Sequence, residues 1–581
     1  MGISLSKQVS FIDAPAAKRR GTNAAYCILL TGFRGRMTSF KSHALRCDVL
    51  VIGGGGAALR AAIASRETGA DVLVVSKTRV GFGNNTYISK ATWAVPGIAD
   101  PEDNYRVHVR DTMLGGCLLN DERMVERVAR GAGRLIPFME KCGVRLATED
   151  GRFVFQHTPG HTYTRHVRGE NRTGSDLMLP IREYAKRIGV RFLDRVFITA
   201  LIPQGNRVAA ATGISEDDGF YSIGCRSAVL ATGGYARIYL HNNNAPGIQG
   251  DGQAIAFVLG VPLKDMEFVQ FYPTALGNKG ARLLLYEVLI FQAGARLKNA
   301  AGEDILTKHG LHDPEKLTRD RLSRAIMVEV EKGLGVEGGV LMDLSSIPTE
   351  RAPTLSSLFP AGWSPAVKEV VVSPTTHFCM GGIITDSEAA TAMAGLFAAG
   401  EVCAGVHGAN RLGGNALSEI FVMGEVAGTN AGLSAKETGF SRVPERETQG
   451  ERLRLEELFS DTGKDAKEFC RSLQSVMWEK AGIIRSAASL SAALSRIEEL
   501  ETLGKTCRVE TPIQLMRRLD LDHMLLVSKM VCKAALYRTE SRGAHYRSDC
   551  PQERNPEWQK NVLIRKTDGE NMTLEAVDTV H

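Results

Sequence analysis

The feature that most constrains this chain is a short apolar run that ends in four consecutive glycines. Residues 49–58 read Val-Leu-Val-Ile-Gly-Gly-Gly-Gly-Ala-Ala and continue into a segment of helical composition. Gly53, Gly55 and Ala58 follow the spacing G-x-G-x-x-G/A: the first glycine permits a sharp turn, the second lets a pyrophosphate approach, and the small third residue lets helix and strand pack closely. The pattern, which includes Gly56, predicts a strand, turn and helix whose N–H groups receive phosphate charge.

A second apolar strand at residues 71–75 closes a βαβ unit of about thirty residues. An NAD-type site normally ends this strand with Asp or Glu for the ribose, whereas this chain has Ser76 and Lys77. Because glycine-rich turns also serve as plain packing turns, two interpretations stay open from this motif alone. One is a packing turn, and the other is a site for a dinucleotide other than plain NAD.

Composition excludes several functional classes. The 581 residues contain no run of about eighteen apolar residues, the length that spans a bilayer. The eleven cysteines include no Cys-x-x-Cys, which argues against a zinc or iron–sulfur framework and favours a reducing, cytoplasmic compartment. We therefore expect no metal site in this chain. If this chain moves electrons one at a time, the metal centres must lie on a partner.

Residues 1–46 form a basic extension with eight Lys or Arg residues and one acid, Asp13. A targeting peptide is one interpretation, and Met1-Gly2 with Ser6 also fits a myristoylation pattern. The interpretation we favour is an extended start, with translation beginning at Met37. The rest of the chain is nearly neutral, so its charge does not indicate nucleic-acid binding.

Glycine-rich strand ends recur along the chain and suggest its organisation. They are interrupted at residues 260–370, and helical periodicity dominates from residue 441. We predict an α/β, multidomain fold: a discontinuous nucleotide-binding domain at 47–259 and 371–440, an inserted α+β domain at 260–370, a helical domain at 441–545, and a less regular tail at 546–581.

Taken in order, these segments resemble the succinate dehydrogenase/fumarate reductase flavoprotein family, which also includes L-aspartate oxidase. The resemblance runs from about residue 47 to residue 549. It rests on motifs at residues 51–58, 231–234, 250–252, 268–271, 319–320, 377–382, 399–401, 407–417, 477–485 and 540–545. It implies a Rossmann-like FAD-binding domain, an inserted capping domain over the flavin, and a C-terminal helical domain.

The same resemblance identifies candidate FAD contacts. They are Gly53, Gly55, Gly56, Ala58, Ser76, Lys77, Asn85, Thr86, Ala231, Asp251, Glu401, Asn415 and Leu417. Asn85 stands where membrane-complex members have the histidine that carries FAD covalently. Since an amide cannot form that link, we expect noncovalent FAD.

For the reaction, the resemblance implies hydride transfer between a carboxylate substrate and flavin N5. His377 and Arg411 match the positions that hold the carboxylates, and arginine suits bidentate carboxylate binding. Three positions depart from the family pattern. Ile290 stands where we expect the arginine that moves a proton, Asp176 replaces a substrate histidine, and Tyr272 replaces the histidine before Pro-Thr. The remaining acid–base candidates are Tyr272, Glu287, Arg282 and Arg296.

Three functions are compatible with these residues. The first is a flavoprotein subunit that passes electrons to an iron–sulfur partner, with any attachment to the inner face of a membrane made only through partners. The second is an L-aspartate-oxidase-like enzyme, and the third is a catalytically silent flavin-binding scaffold. Because of Ile290 we expect weak or absent fumarate reduction, and a gain of this activity in an Ile290→Arg variant would support the alignment.

Overall fold

The structure is a computed structural model that describes residues 40–277, 283–285, 289–290, 293–313, 317–345, 347, 367–568 and 571–580. Its strands are β1 (Lys41–Ile52), β2 (Val72–Ser76), β3 (Thr92–Ala94), β4 (Thr148–Glu149), β5 (Arg152–Phe153), β6 (His166–Arg168), β7 (Arg191–Asp194), β8 (Val196–Gln204), β9 (Arg207–Ser215), β10 (Gly219–Leu230), β11 (Leu263–Lys264), β12 (Val269–Leu276), β13 (Arg296–Lys298), β14 (Val340–Asp343), β15 (Glu369–Cys379), β16 (Gly382–Ile383), β17 (Leu396–Ala398), β18 (Lys560–Lys566) and β19 (Met572–Asp578). Its α-helices are α1 (Gly56–Glu67), α2 (Asn85–Ile88), α3 (Tyr105–Gly115), α4 (Glu122–Gly131), α5 (Leu135–Cys142), α6 (Ser175–Arg187), α7 (Asp251–Val258), α8 (Ile305–Lys308), α9 (Arg319–Glu331), α10 (Asn415–Glu437), α11 (Glu445–Glu457), α12 (Ala466–Ala481), α13 (Ala487–Gly504) and α14 (Pro512–Tyr537).

The largest sheet has seven strands in the order β7-β2-β1-β10-β9-β8, with β17 also paired to β10. β7, β2, β1, β10 and β17 are mutually parallel, whereas β9 and β8 continue the sheet antiparallel. A parallel sheet whose first strand runs through a glycine turn into a helix is the Rossmann-like arrangement. The predicted α/β fold class is confirmed.

Strand β1 shows why this sheet is covered on both faces. Successive side chains of a strand point to opposite faces. Val49 and Val51 join the apolar core that contains α1, while Leu50 and Ile52 join a separate core on the other face. All four are buried, which explains the uninterrupted apolar run in the sequence.

The chain between the glycine-rich segments builds a second layer. β12, β15, β14 and β13 form an antiparallel sheet in that order, and α9 packs against β12. This layer has its own apolar core, which includes Leu285, Leu322 and Met342. β15 spans residues 369–379, so the expected domain boundary at 370/371 falls inside a strand rather than in a linker.

Helices α12, α13 and α14 pack together after the nucleotide-binding segments. The tail after residue 545 is more regular than we expected: β18 and β19 form an antiparallel hairpin, and β18 pairs with β11. Residues 561–564 of β18 are buried in succession and β19 alternates between half-buried and exposed residues, so both strands carried a pattern that could have been read from the sequence. Within the described residues, none of the helices combines the length and apolar character needed to cross a bilayer.

Candidate active site

The glycine turn after β1 is built for close approach of backbone groups. Gly53 has φ of +131°, and a Cβ there would lie 2.2 Å from the carbonyl oxygen of Ala231. A side chain is therefore excluded at this position. Gly55 is the N-cap of α1 and brings no side chain to cover the first helical turn, where the N–H of Gly56 donates to Thr86 Oγ1 at 3.1 Å. Backbone donors at an uncovered helix start favour a bound phosphate.

This turn opens onto a cleft of about 880 Å³ between the ends of the parallel strands. Predicted cofactor residues on its wall are Gly53, Gly55, Gly56, Ser76, Lys77, Asn85, Thr86, Ala231, Asp251 and Glu401. The hydroxyl of Thr232, also on the wall, is buried and has no hydrogen-bond partner in the described structure. A cleft with backbone donors at one end and an unsatisfied hydroxyl group on its wall fits a dinucleotide.

Lys77 forms ion pairs with one residue of the nucleotide cleft, Asp251, and one residue of α14, Asp520. Its Nζ lies 2.6 Å from Asp251 Oδ2 and 3.0 Å from Asp520 Oδ1, and Asp520 belongs to α14. Burial alone would raise the pKa of Asp251, but the Lys77 ammonium and His523 bring it down to about 2. Asp251 is therefore ionised, and the ion pair joins α14 to the nucleotide cleft.

Three predicted cofactor residues do not line the cleft: Ala58, Asn415 and Leu417, of which Leu417 lines the second cavity described below. Ala58 is fully buried in α1, where its small side chain serves helix packing. The amide of Asn415 is occupied by His108 and Thr112, each at 2.9 Å. Asn415 keeps only its backbone N–H at the start of α10 as a possible cofactor contact.

The cleft continues into a second cavity, of about 1260 Å³, where Asn85, Thr86, Glu401 and Ile420 line both spaces. The amide of Asn85 donates to Asn244 Oδ1 at 2.5 Å and to Glu401 Oε2 at 3.3 Å. Burial raises the pKa of Glu401 to about 7, although the N–H of Cys379 and the Asn85 amide lower it in part. A titratable carboxyl group thus stands where the two cavities meet.

Two arginines converge on one side chain in the second cavity, which we call the substrate cavity. Gln270 Oε1 accepts hydrogen bonds from Arg411 Nη2 at 3.1 Å and from Arg319 Nη1 at 3.2 Å. The Gln270 amide donates to Asn410 Oδ1 and to the Arg411 carbonyl, each at 2.8 Å. Because Gln270 is fully buried, it fixes the position of both guanidinium groups.

His377 lies on the same wall, with Nδ1 3.1 Å from the Asn243 side-chain amide. Burial, followed by the charges of Arg411, Arg319 and Lys90, lowers the pKa of His377 well below its usual value. The imidazole is therefore neutral and offers a hydrogen bond rather than a charge. The ring of Tyr272 stands edge-on to it, with centroids 5.4 Å apart.

The structure revises several expectations about this cavity. Ile290 belongs to the apolar core beside Leu285 and does not line the cavity. The carboxylate of Asp176 caps a local turn by accepting from the N–H of Asn171 at 2.8 Å, so it does not occupy a substrate position either. Of the acid–base candidates, Arg296 is exposed on β13, whereas Glu287 and Arg282 lie outside the described residues.

Sequence reasoning did not select several residues that shape the cavity. They are Lys90, Arg172, Asn243, Gln270 and Arg319. Gln270 and Arg319 occur in the motifs at 268–271 and 319–320, which was a usable signal. Lys90, Arg172 and Asn243 carry no local pattern and meet only through the fold. Leu417, expected at the cofactor, lines this cavity.

The families, relatives and solved structures that this chain matches are FAD-binding proteins or fumarate reductase flavoproteins, as the nucleotide cleft indicates. Residues 48–417 match the FAD binding domain family, and residues 470–581 match the fumarate reductase flavoprotein C-terminal family. An uncharacterised FAD-dependent oxidoreductase of Methanocaldococcus jannaschii is 35% identical to this chain, with 92% of this chain and 98% of the relative covered. The CoM/CoB fumarate reductase of Methanothermobacter marburgensis has one subunit that is also 35% identical, with coverage of 90% and 98%. A mutant form of FrdA from E. coli quinol fumarate reductase superimposes with a TM-score of 0.86 at 28% identity, with coverage of 93% and 97%.

Fold, cleft and family matches define this chain as an FAD-dependent oxidoreductase. Its cofactor is FAD, as the glycine motif and the resemblance predicted. More narrowly, the chain belongs to the succinate dehydrogenase/fumarate reductase flavoprotein family, which confirms the resemblance found in the sequence.

Proposed function

We propose that this chain is a flavoprotein subunit that interconverts a carboxylate substrate and its oxidised form beside noncovalently bound FAD. His377 and Arg411 hold the carboxylates, and Arg319 carries the proton. The main support for this proposal is that Arg319 and Arg411 both donate to the side-chain oxygen of Gln270. The cavity that they line adjoins the FAD cleft at Asn85 and Glu401.

Substrate orientation follows from fixed donors. The Arg411 guanidinium is 6% exposed and lies 4.6 Å from the centre of the Phe378 ring, so its plane is restrained on two sides. A restrained guanidinium can bind a carboxylate through two parallel hydrogen bonds. The neutral imidazole of His377 adds a donor without further charge. These groups would hold a dicarboxylate with its central carbons toward the flavin end of the cavity.

When bound, FAD supplies hydride acceptance or donation at flavin N5. The protein must then move a proton on the opposite side of the substrate. Arg319 lines the cavity, and its guanidinium carbon lies 5.0 Å from the centre of the Tyr272 ring. An arginine normally holds its proton firmly, but positive charges nearby favour the neutral form of a cationic group. Arg411 provides such a charge on the same glutamine oxygen.

An iron–sulfur protein is the electron partner in this proposal. The described cysteines are all free thiols, and within that part of the chain no group of three or more His, Cys, Asp or Glu side chains is arranged to hold a metal ion. Bound FAD would take up two electrons as a hydride and can release them one at a time, so an iron–sulfur protein on another chain could accept them. The partner would also provide any attachment to the inner face of a membrane. Co-purification of an iron-containing protein with this chain would support the assignment.

The test is an anaerobic titration of the purified holoprotein. We expect succinate or a related carboxylic acid to bleach the flavin, and fumarate or the corresponding oxidised acid to restore its colour. Matched Arg411→Met and His377→Asn variants should retain FAD but bleach far more slowly. If no carboxylic acid changes the redox state of the bound FAD, the proposed function is wrong.

An L-aspartate-oxidase-like activity is the second candidate, because relatives of this chain include L-aspartate oxidases. Such an enzyme would be bleached by L-aspartate and recoloured by oxygen without any partner. The same titration, repeated with L-aspartate and then opened to air, separates the two functions. A yellow protein that binds an iron–sulfur partner but responds to no acid would instead be a silent scaffold.

A further inference from the structure

The residue after β2 is a lysine, at the place where an NAD-type site carries an acid for the ribose. This residue, Lys77, lies on the wall of the nucleotide cleft, and its ammonium group has three N–H donors. All three donors are used within the protein: they go to Asp251 Oδ2 at 2.6 Å, Asp520 Oδ1 at 3.0 Å and Gln249 Oε1 at 3.0 Å. Lys77 therefore holds protein carboxylates at the end of the strand, and Asp251 supplies the acid that β2 lacks.

The carboxylate of Asp251 is held on both of its oxygens. Oδ2 lies beside the Lys77 ammonium, and Oδ1 lies 3.1 Å from His523 Nδ1. Because a carboxylate accepts about four hydrogen bonds, Asp251 can also accept from the hydroxyl groups of a ribose in the cleft. The direction in which it offers these positions is set by Lys77 and His523.

Helix α14 reaches this group from the helical segment. Asp520 and His523 are three residues apart on the helix and therefore share one face. The His523 ring stacks on the ring of Phe197, a residue of the cleft wall, with centroids 5.8 Å apart. One turn further along, Val527 packs so closely against the start of α7 that a Cβ built on Gly250 would lie 2.8 Å from Val527 Cγ2. The contact face of α14 thus lies directly against the cleft.

The buried charges make this contact costly to separate. Burial raises the pKa of Asp520, while the ammonium of Lys77 lowers it and the nearby Asp251 raises it further. Removing one member of a buried, hydrogen-bonded charge cluster leaves the others without compensation. If α14 moved away, Lys77 would lose Asp520 and Asp251 would lose His523. The orientation of the two cleft residues therefore depends on the position of α14.

We propose that Asp520 and His523 are positioning residues for the adenosine end of the FAD site, acting through Lys77 and Asp251, so that cofactor binding and docking of α14 are coupled. Both residues lie in the segment that matches the C-terminal family, outside the residues that match the FAD binding domain. By linkage, a ligand that binds better to the docked arrangement stabilises the docking of α14 to the same extent. This coupling depends on FAD alone and not on the proposed carboxylate chemistry.

The test measures the binding of FAD, and of ADP as a probe for the adenosine half, to the full-length protein from which FAD has been removed. We expect Asp520→Asn and His523→Phe each to weaken the binding of both ligands about tenfold, because each removes a hydrogen bond to a charged group. Hydrogen exchange of the α14 amides should slow when ADP binds to the wild-type protein, and this slowing should be smaller in both variants. A purely structural role for the two residues would leave the exchange of α14 insensitive to ADP.

The matched control is Asp522→Asn on the same helix. The Asp522 side chain is 38% exposed and pairs with Arg518, so its loss should change neither affinity more than about twofold. Unchanged affinities in Asp520→Asn and His523→Phe, or ADP binding that leaves the exchange of α14 unchanged, would overturn the coupling. If Asp520→Asn does not fold, His523→Phe and the ADP-dependent exchange of the wild-type protein decide the outcome. Failure of every acid to bleach the flavin would contradict the proposed function, whereas these binding measurements would still decide the coupling.

Discussion

The guanidinium carbon of Arg319 lies 5.0 Å from the centre of the Tyr272 ring, and both side chains line the substrate cavity. The two are therefore rival proton carriers on one wall. We assign the proton to Arg319 and a supporting surface to Tyr272. Arg319→Lys should lower kcat about 10²- to 10⁴-fold, the range for loss of a general acid, with little change in substrate affinity. Tyr272→Phe should have a much smaller effect.

The measurement is steady-state turnover of both variants across pH, together with their FAD content. Retention of FAD by each variant shows that the cleft is intact. If Tyr272→Phe loses as much activity as Arg319→Lys, or if only Tyr272→Phe alters the pH profile, then the phenol is the proton carrier.

The buried position of Ile290 reverses our expectation from the sequence. Ile290 is 6% exposed in the apolar core with Leu285 and Leu289. Ile290→Arg should therefore bury an unpaired charge and destabilise the protein by about 3–5 kcal/mol rather than restore activity. Ile290→Val is the matched control and should cost about 0.5–1.5 kcal/mol. Denaturant unfolding of the three proteins provides the test, and a stable Ile290→Arg variant with increased fumarate reduction would contradict this prediction.

Noncovalent attachment of FAD is expected from the bonds of Asn85. Its amide is already engaged by Asn244 and Glu401, and its Oδ1 accepts from the N–H of Ala245 at 2.9 Å. An amide held in this way cannot link to the flavin ring. Acid precipitation should release all the yellow colour into the supernatant. A fluorescent flavin band that stays with the polypeptide on a denaturing gel would show a covalent link elsewhere.

The carboxyl group of Glu401 should make the bound flavin sensitive to pH. Burial raises the pKa of Glu401 to about 7, so the group is neutral below this pH and charged above it. We propose that Glu401 lies beside the ring of bound FAD, where a change in its charge would alter the absorption of the ring. We expect the visible spectrum of the oxidised holoprotein to titrate between about pH 6 and pH 8. Glu401→Gln, which can still accept from the Cys379 N–H, should abolish this titration, and its persistence in the variant would assign it to another group.

Local patterns were sufficient to predict the nucleotide cleft. Gly53 is required because the turn after β1 passes close to the backbone of Ala231, a contact that any strand, turn and helix of this kind would make. Val49 and Leu50 are both apolar because they point to opposite faces of a sheet that is covered on both sides. The substrate cavity was less accessible, because Lys90, Arg172 and Arg319 come from separate segments that only the fold brings together. Ile290 is placed by packing in the apolar core, and Asp176 is placed by its bond to the N–H of Asn171. Neither interaction can be read from the alignment of a motif residue by residue.

The loop before α10 is held by buried neutral histidines, which should limit stability in acid. His161 Nε2 and His166 Nε2 lie 2.9 and 3.0 Å from the carbonyl oxygen of Gly413. Burial lowers the pKa of His166 to about 3, despite the two backbone carbonyls that raise it. The unfolded chain takes up a proton at this histidine below about pH 6.5, whereas the folded protein does so only near pH 3. The free energy of unfolding therefore falls as the pH decreases between these values, by about 1.4 kcal/mol per pH unit.

The variant His166→Gln tests this, because it removes the proton uptake on unfolding. We expect the variant to have a lower melting temperature than the wild-type protein at about pH 7.5. Its melting temperature should nevertheless fall less steeply with decreasing pH between about pH 6.5 and pH 5. The exposed His312, changed to Gln, is the matched control and should leave the wild-type slope unchanged. Parallel slopes for wild type and His166→Gln would show that His166 is already charged in the folded protein.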